Sequence, residues 1–152
     1  MKANELMIGD IVRVNQDVCI SKGSIVRVLA IDGTASLREK GLCGCATCEV
    51  IGDKYHTTGG VWCEYLEPIP LSTEILEKNG WSYLDEDAKF APETWSGGGL
   101  FLRGYEDSGF MIMATSDYDD EDTNRTPFIL NYVHELQHAL MLRRLSKEIT
   151  IN

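Results

Sequence analysis

Two histidines, a glutamate and a glutamine fall within five residues of the 152-residue chain: His134-Glu135-Leu136-Gln137-His138. On a helix, side chains four residues apart stand one above the other. Both imidazoles of an H-E-x-x-H segment can therefore reach one zinc ion while the glutamate works on a metal-bound water. That chemistry makes His134 and His138 candidate zinc ligands and Glu135 the candidate general base of a zinc-dependent hydrolase. It also needs a third protein ligand. Only 14 residues follow His138; they contain no His, Asp or Cys, and their one carboxylate, Glu148, lies beyond the expected helix end. The His-x-x-Gly-x-x-His extension is absent. A ligand from upstream, such as His56 or an aspartate of the acidic stretch 116–127, would have to complete the set, and no spacing points to one.

The periodicity of the segment favours a structural role. A helix over about 131–145 turns about 100° per residue, which gathers Tyr132, Val133, Leu136, Ala139 and Leu140 on one face. His134 and His138 fall roughly opposite Leu136, with Met141 and Leu145 on their side, leaving room for a second buried face or a partner. The expectation is a helix whose apolar stripe packs on the strands that precede it while the two histidines lie outside the contact. In such a helix the exposed histidines can be replaced at a cost of about 0.5 kcal/mol or less.

Three other constellations carry less chemistry. Cys43, Cys45, Cys48 and Cys63 could supply four thiolates, but only one C-x-x-C is present, and a structural zinc site usually takes two such knuckles. "CATCEVI" (45–51) reads as a strand, so Cys45 and Cys48 should face opposite ways. With Cys19 the count is five, an odd number, which suits free thiols better than a disulfide framework. "DYDDED" (117–122) lacks the glycine and the closing glutamate of a calcium loop and reads as a solvated acidic loop. "WSGGGL" (95–100) has no Gly-Lys-Ser/Thr ending and reads as a turn. No cofactor is expected; zinc belongs only to the hydrolase alternative.

The elements that must position these residues fall into two groups. "DIVRVN" (10–15) and "SIVRVLAID" (24–32) alternate apolar and polar residues as half-buried strands do, and Asp32-Gly33 signals a tight turn. "CATCEVI" (45–51) and "VWCEYLEPI" (61–69) are further strands, punctuated by Gly52-Asp53 and Gly59-Gly60. The pattern resembles an SH3-like antiparallel barrel, a fold that serves as an accessory or binding module. Pro68 and Pro70 form a seam, after which Ser72 or Thr73 can cap a short helix, "EILEKN", that Gly80 ends. "WSYLDEDAKF", a hairpin of "GLFLRGY" (99–105) and "GFMIMAT" (109–115), a strand-like "FIL", the motif helix and "EITI" (148–151) follow. The fold class expected is mainly β / α+β. An SH3-like barrel module over 1–70 would be followed by a small α+β module over 71–152 with one principal C-terminal helix.

Composition limits the function classes. The net charge is −10, with 7 Lys/Arg against 9 Asp/Glu in residues 1–70 and 7 against 15 in residues 71–152. Nucleic-acid binders cluster basic residues to neutralise phosphates, so a nucleic-acid partner is disfavoured and another protein is the expected one. Glu5 and Asp10 interrupt the start where a secretory signal needs an apolar stretch. Apolar runs such as "FMIMA" are too short to span a bilayer. A cytoplasmic, non-membrane protein is expected.

"ELMIGDIV" (5–12), "PIPLSTEILEKNGW" (68–81) and "YVHELQHAL" (132–140) together resemble a group of small proteins from gut-dwelling Bacteroidetes and their phages or mobile elements. The three segments span the chain. The resemblance implies no activity, only a phage- or mobile-element-associated accessory role. The terminal segment of that group often reads Tyr-Val-His-Gln-Leu-Gln-Asn. Glu135 and His138 depart from it, which speaks against a catalytic use of those two positions.

Overall fold

Strand alternation in the first seventy residues produces one antiparallel sheet with a single apolar face. The computed structural model describes residues 1–37, 42–83, 89–92, 100–104, 109–114, 128–142, 144 and 148–151. The chain divides into two compact units: Met1–Ile69 with Leu136–Lys147, and Pro70–Glu135 with Glu148–Asn152.

In the first unit, β1 (Ile11–Val14), β2 (Ile25–Leu37), β3 (Leu42–Val50), β4 (Thr58–Trp62) and β5 (Leu66–Glu67) pair in the order β4-β3-β2-β1-β5. The register sets Val12 opposite Val26, Val28 opposite Cys48, and Ala46 opposite Val61. Residues two apart share a face, so these side chains and Val14 form one surface. Leu6, Ile20, Cys63 and Leu66 complete its core.

Closure into a barrel is not met. β4 and β5 stand at the two ends of the order, and no ladder joins them among the described residues. The β1–β2 connection packs on β4 instead: the Cys19 thiol donates to the Gly60 carbonyl at 3.1 Å. A Cβ at Gly59 would lie 2.6 Å from Cys19 Sγ, so any larger residue there would push the thiol out of this contact.

Two turn signals resolve differently from expectation. Asp32-Gly33 makes no hairpin; β2 runs through it with an irregular register between Asp32 and Ser36. The Asp32 carboxylate accepts from the Thr34 hydroxyl (2.7 Å), the Thr34 N–H (2.9 Å) and the Ala35 N–H (3.1 Å). Its side chain thus satisfies local amides as an Asx turn does, inside a bulged strand. "VWCEYLEPI" is likewise not one strand. A 3-10 turn, Cys63–Tyr65, separates β4 from β5 and places Cys63 in the core. The chain needs that break because it leaves one end of the sheet and re-enters at the other.

The second unit is a meander with helices at its two chain ends. α1 (Thr73–Lys78) starts at Ser72, whose hydroxyl accepts from the Ile75 N–H, and ends at Gly80 with φ of 73°. β6 (Trp81–Tyr83), β7 (Lys89–Pro92), β8 (Leu100–Gly104), β9 (Phe110–Ala114) and β10 (Ile129–Leu130) form an antiparallel sheet in the order β10-β9-β8-β7-β6. The β8–β9 pairing matches the expected hairpin, from Leu100 opposite Ala114 to Gly104 opposite Phe110. "EITI" is not a strand. Its backbone at Thr150 is held by one side chain, Asn79, which accepts from the Thr150 N–H (2.7 Å) and donates to the Thr150 carbonyl (2.8 Å). The acidic stretch 116–127 and residues 95–99 of the glycine-rich segment lie outside the described residues.

The principal helix, α2, spans Val133–Leu142. Its residues from Leu136 onward group with the first unit; the sequence-based division at residue 70 had assigned all of it to the second.

Leu66 is 1% exposed, and its neighbour Glu67 makes a surface ion pair with Arg13 at 3.5 Å. Leu66→Ala should lower unfolding free energy by about 2–5 kcal/mol, whereas Glu67→Gln should change it by less than about 1 kcal/mol. Urea denaturation of the two variants checks the contrast.

Candidate functional site

Helix ends leave backbone N–H groups without partners, and Glu135 is placed to meet the one at the N-cap and the amide just before it. It is the third residue of α2, and its Oε2 accepts from the Asn131 N–H at 2.7 Å and the Tyr132 N–H at 3.1 Å. This is the glutamate half of a capping box, so the carboxylate that the hydrolase alternative would use on a zinc-bound water is turned to the main chain.

Gln137 is 1% exposed although it sits among apolar residues. Its Oε1 accepts from the Ile11 N–H at 2.9 Å, and its Nε2 donates to the Gly9 carbonyl at 3.0 Å. On the other side of the same strand, Gly9 N–H donates to Val28 O and Val28 N–H to Asp10 O. β5 pairs with β1 only at Arg13 and Val14. The glutamine amide therefore stands where a further strand residue would be, offering the donor and the acceptor that a peptide group offers.

His138 lies one residue on. Its Nε2 is 2.8 Å from Asp10 Oδ1 and 3.0 Å from Oδ2, with the Asp10 side chain fully buried and the imidazole 26% exposed. Asp10 Oδ2 also accepts from the Met7 N–H at 2.7 Å. A nitrogen facing two carboxylate oxygens must carry a proton, so Nε2 is the N–H donor. His134 is buried rather than exposed, its ring stacked on Tyr132 with centroids 5.9 Å apart. The expectation that both histidines lie outside the packing is thus overturned. Buried positions run nearly all round α2, because it packs on more than one face.

These residues do not fit a zinc site. The His138 nitrogen that would bind metal is bonded to Asp10, and Glu135 caps the helix. His56 is on the β3–β4 turn, its Nδ1 3.0 Å from Glu49 Oε1. Among the described residues, no three His, Cys, Asp or Glu side chains gather so as to hold a metal ion. Sequence reasoning missed Asp10 and Gln137. Glu135 had a signal, since its position three residues after the helix start is a capping position. No protein family, curated protein or solved structure matches the chain.

The thiols are also structural. Cys48 is buried on the core face and half-buried Cys45 is on the opposite face, as strand alternation requires. Cys63 is buried and Cys19 exposed; the Cys43 side chain lies outside the described ones. Burial, then the neighbouring Cys45, Cys63 and Cys19, pushes the Cys48 thiol up to about 12. Burial, then the charge of Asp32, raises Cys45; burial, then Glu64, raises Cys63. Thiols held protonated are poor nucleophiles and poor ligands.

Two outcomes are expected. His138→Ala and Asp10→Asn should each destabilise by about 1–3 kcal/mol, since each strips a partner from a buried polar group. The double variant should cost clearly less than their sum in chemical denaturation, as coupled partners do. For Cys48, the unfolded chain ionises near the ordinary value of 9 while the folded thiol holds its proton to about 12. Stability should therefore fall as pH rises through that window, because the unfolded state releases the proton first. Melting curves across it should be flatter for Cys48→Val.

Proposed function

We propose that this protein is a non-enzymatic accessory protein that acts by binding another protein, in the cytoplasm of a Bacteroidetes-like host, in phage or mobile-element biology. The observation that carries this reading is the commitment of Glu135, Gln137 and His138 to intramolecular bonds. A zinc hydrolase of this motif would need His138 free to bind the metal and Glu135 aimed at a metal-bound water. The small antiparallel sheet of the first unit supports an SH3-like binding module. A net charge of −10 opposes a nucleic-acid partner. No described helix is long and apolar enough to cross a membrane. Ile8 (62% exposed) and Leu142 (80%), both in the first unit, are the exposed apolar side chains this reading assigns to the partner contact.

Affinity purification of the full chain from such a host tests the proposal. A protein should co-purify with the parent at constant stoichiometry and be lost from Ile8→Asp, Leu142→Asp. Purified protein should show no peptide hydrolysis with added zinc. Zinc-dependent hydrolysis that disappears in Glu135→Gln would replace this reading with the hydrolase one.

A further inference from the structure

We propose that Asn79-Gly80 is a deamidation site built into the second unit, and that the segment 148–151 is the strap that restrains it. No other Asn-Gly occurs in the sequence; Asn4, Asn15, Asn124 and Asn131 precede Glu5, Gln16, Arg125 and Tyr132. Glycine matters because the attacking group is the backbone nitrogen that follows the asparagine. With no side chain on residue 80, that nitrogen is unhindered and the main chain can turn to present it. Deprotonated by hydroxide or a buffer base, the Gly80 nitrogen bonds to Asn79 Cγ. The Cγ–Nδ2 bond breaks, and ammonia leaves after taking a proton from water. Water then opens the cyclic imide at either carbonyl, giving aspartate or isoaspartate at residue 79 with no net oxidation or reduction.

In the folded unit both reacting groups are held. Asn79 Nδ2 donates to the Ile75 carbonyl at 2.7 Å and to the Thr150 carbonyl at 2.8 Å, and Oδ1 accepts from the Thr150 N–H at 2.7 Å. The Gly80 N–H donates to the Glu77 carbonyl at 3.0 Å. Thr150 thus makes two of the three side-chain bonds, and its neighbour Ile149 is buried and seats the strap. Undocking of 148–151 removes both Thr150 bonds and frees the amide to turn toward the Gly80 nitrogen. The change is one-way. A carboxylate has no N–H to donate, so at residue 79 it would face the Ile75 and Thr150 carbonyls, acceptors both. A transient local opening is thereby made permanent by covalent modification.

Peptide mapping by mass spectrometry follows Asn79 in the full chain during incubation at mildly alkaline pH. In urea, Asn79 should convert faster than Asn4, Asn15 and Asn131, with isoaspartate among its products. In the folded parent it should convert at least roughly tenfold more slowly than in urea, the equivalent of about 1.4 kcal/mol of opening free energy. Ile149→Ala should raise the folded rate several-fold, whereas Ser72→Ala, which loosens the other end of α1, should not. Asn79→Asp keeps the test decisive if Ile149→Ala folds poorly: its Thr150 amide should exchange with solvent faster than the parent's, measured against the Leu76 amide in each. Equal conversion in folded and urea-treated chains would overturn the proposal, as would an Asn79 no faster than the other asparagines in urea. So would equal rates in Ile149→Ala and Ser72→Ala, or a Thr150 amide as protected in Asn79→Asp as in the parent.

Discussion

One side-chain amide completes the edge of β1. Past the end of β5, the Ile11 N–H and the Gly9 carbonyl would face a buried environment with no strand beside them. A buried backbone group left without a partner costs about 1–3 kcal/mol, so the sequence must supply one. Gln137 supplies both. Leucine at this position would satisfy neither group, and glutamate would lack the donor. The next residue repeats the logic with charge: Asp10, whose own backbone is in the ladder with β2, carries a buried carboxylate that needs a proton donor, and His138 is that donor. The C-terminal helix is thus stitched to the start of the first strand by polar bonds.

The same five residues can do two kinds of chemistry. For metal hydrolysis, the two imidazoles and the carboxylate must converge on an open point, unoccupied by other protein groups. For helix docking, each must find a partner in the fold. Here Glu135 finds the N–H groups at the start of its own helix, Gln137 the edge of β1, and His138 a buried aspartate. The decisive information is where the second shell of partners sits, and a short motif does not contain it.

What was legible in the sequence is what short-range patterns encode. Alternation placed β1 and the first part of β2, the Pro68–Pro70 seam preceded a capped helix at Ser72, and the β8–β9 hairpin lies where two apolar runs flank a polar turn. Strand periodicity also separated Cys45 from Cys48. Several of the misses share a cause, namely side-chain hydrogen bonds that pattern reading does not see. Asp32 turns a hairpin signal into a bulge by accepting from Thr34 and Ala35. Gln137 and His138 act on residues 128 and fewer positions away along the chain, a separation over which helical periodicity is silent. An apolar-stripe reading assigns such polar residues to solvent, and here they are the ones most tightly held.

Gln137 serves as the missing strand partner of β1, and native-state hydrogen exchange reads this directly. In the parent protein the Ile11 amide should exchange as slowly as the Val28 amide, which donates to Asp10 on the opposite side of the strand. In Gln137→Leu, Ile11 exchange should accelerate roughly five- to tenfold relative to Val28, the scale set by one lost net hydrogen bond of about 1–1.5 kcal/mol. If Ile11 kept its protection in that variant, or lost it only in step with Val28, the amide would not be what completes the strand edge.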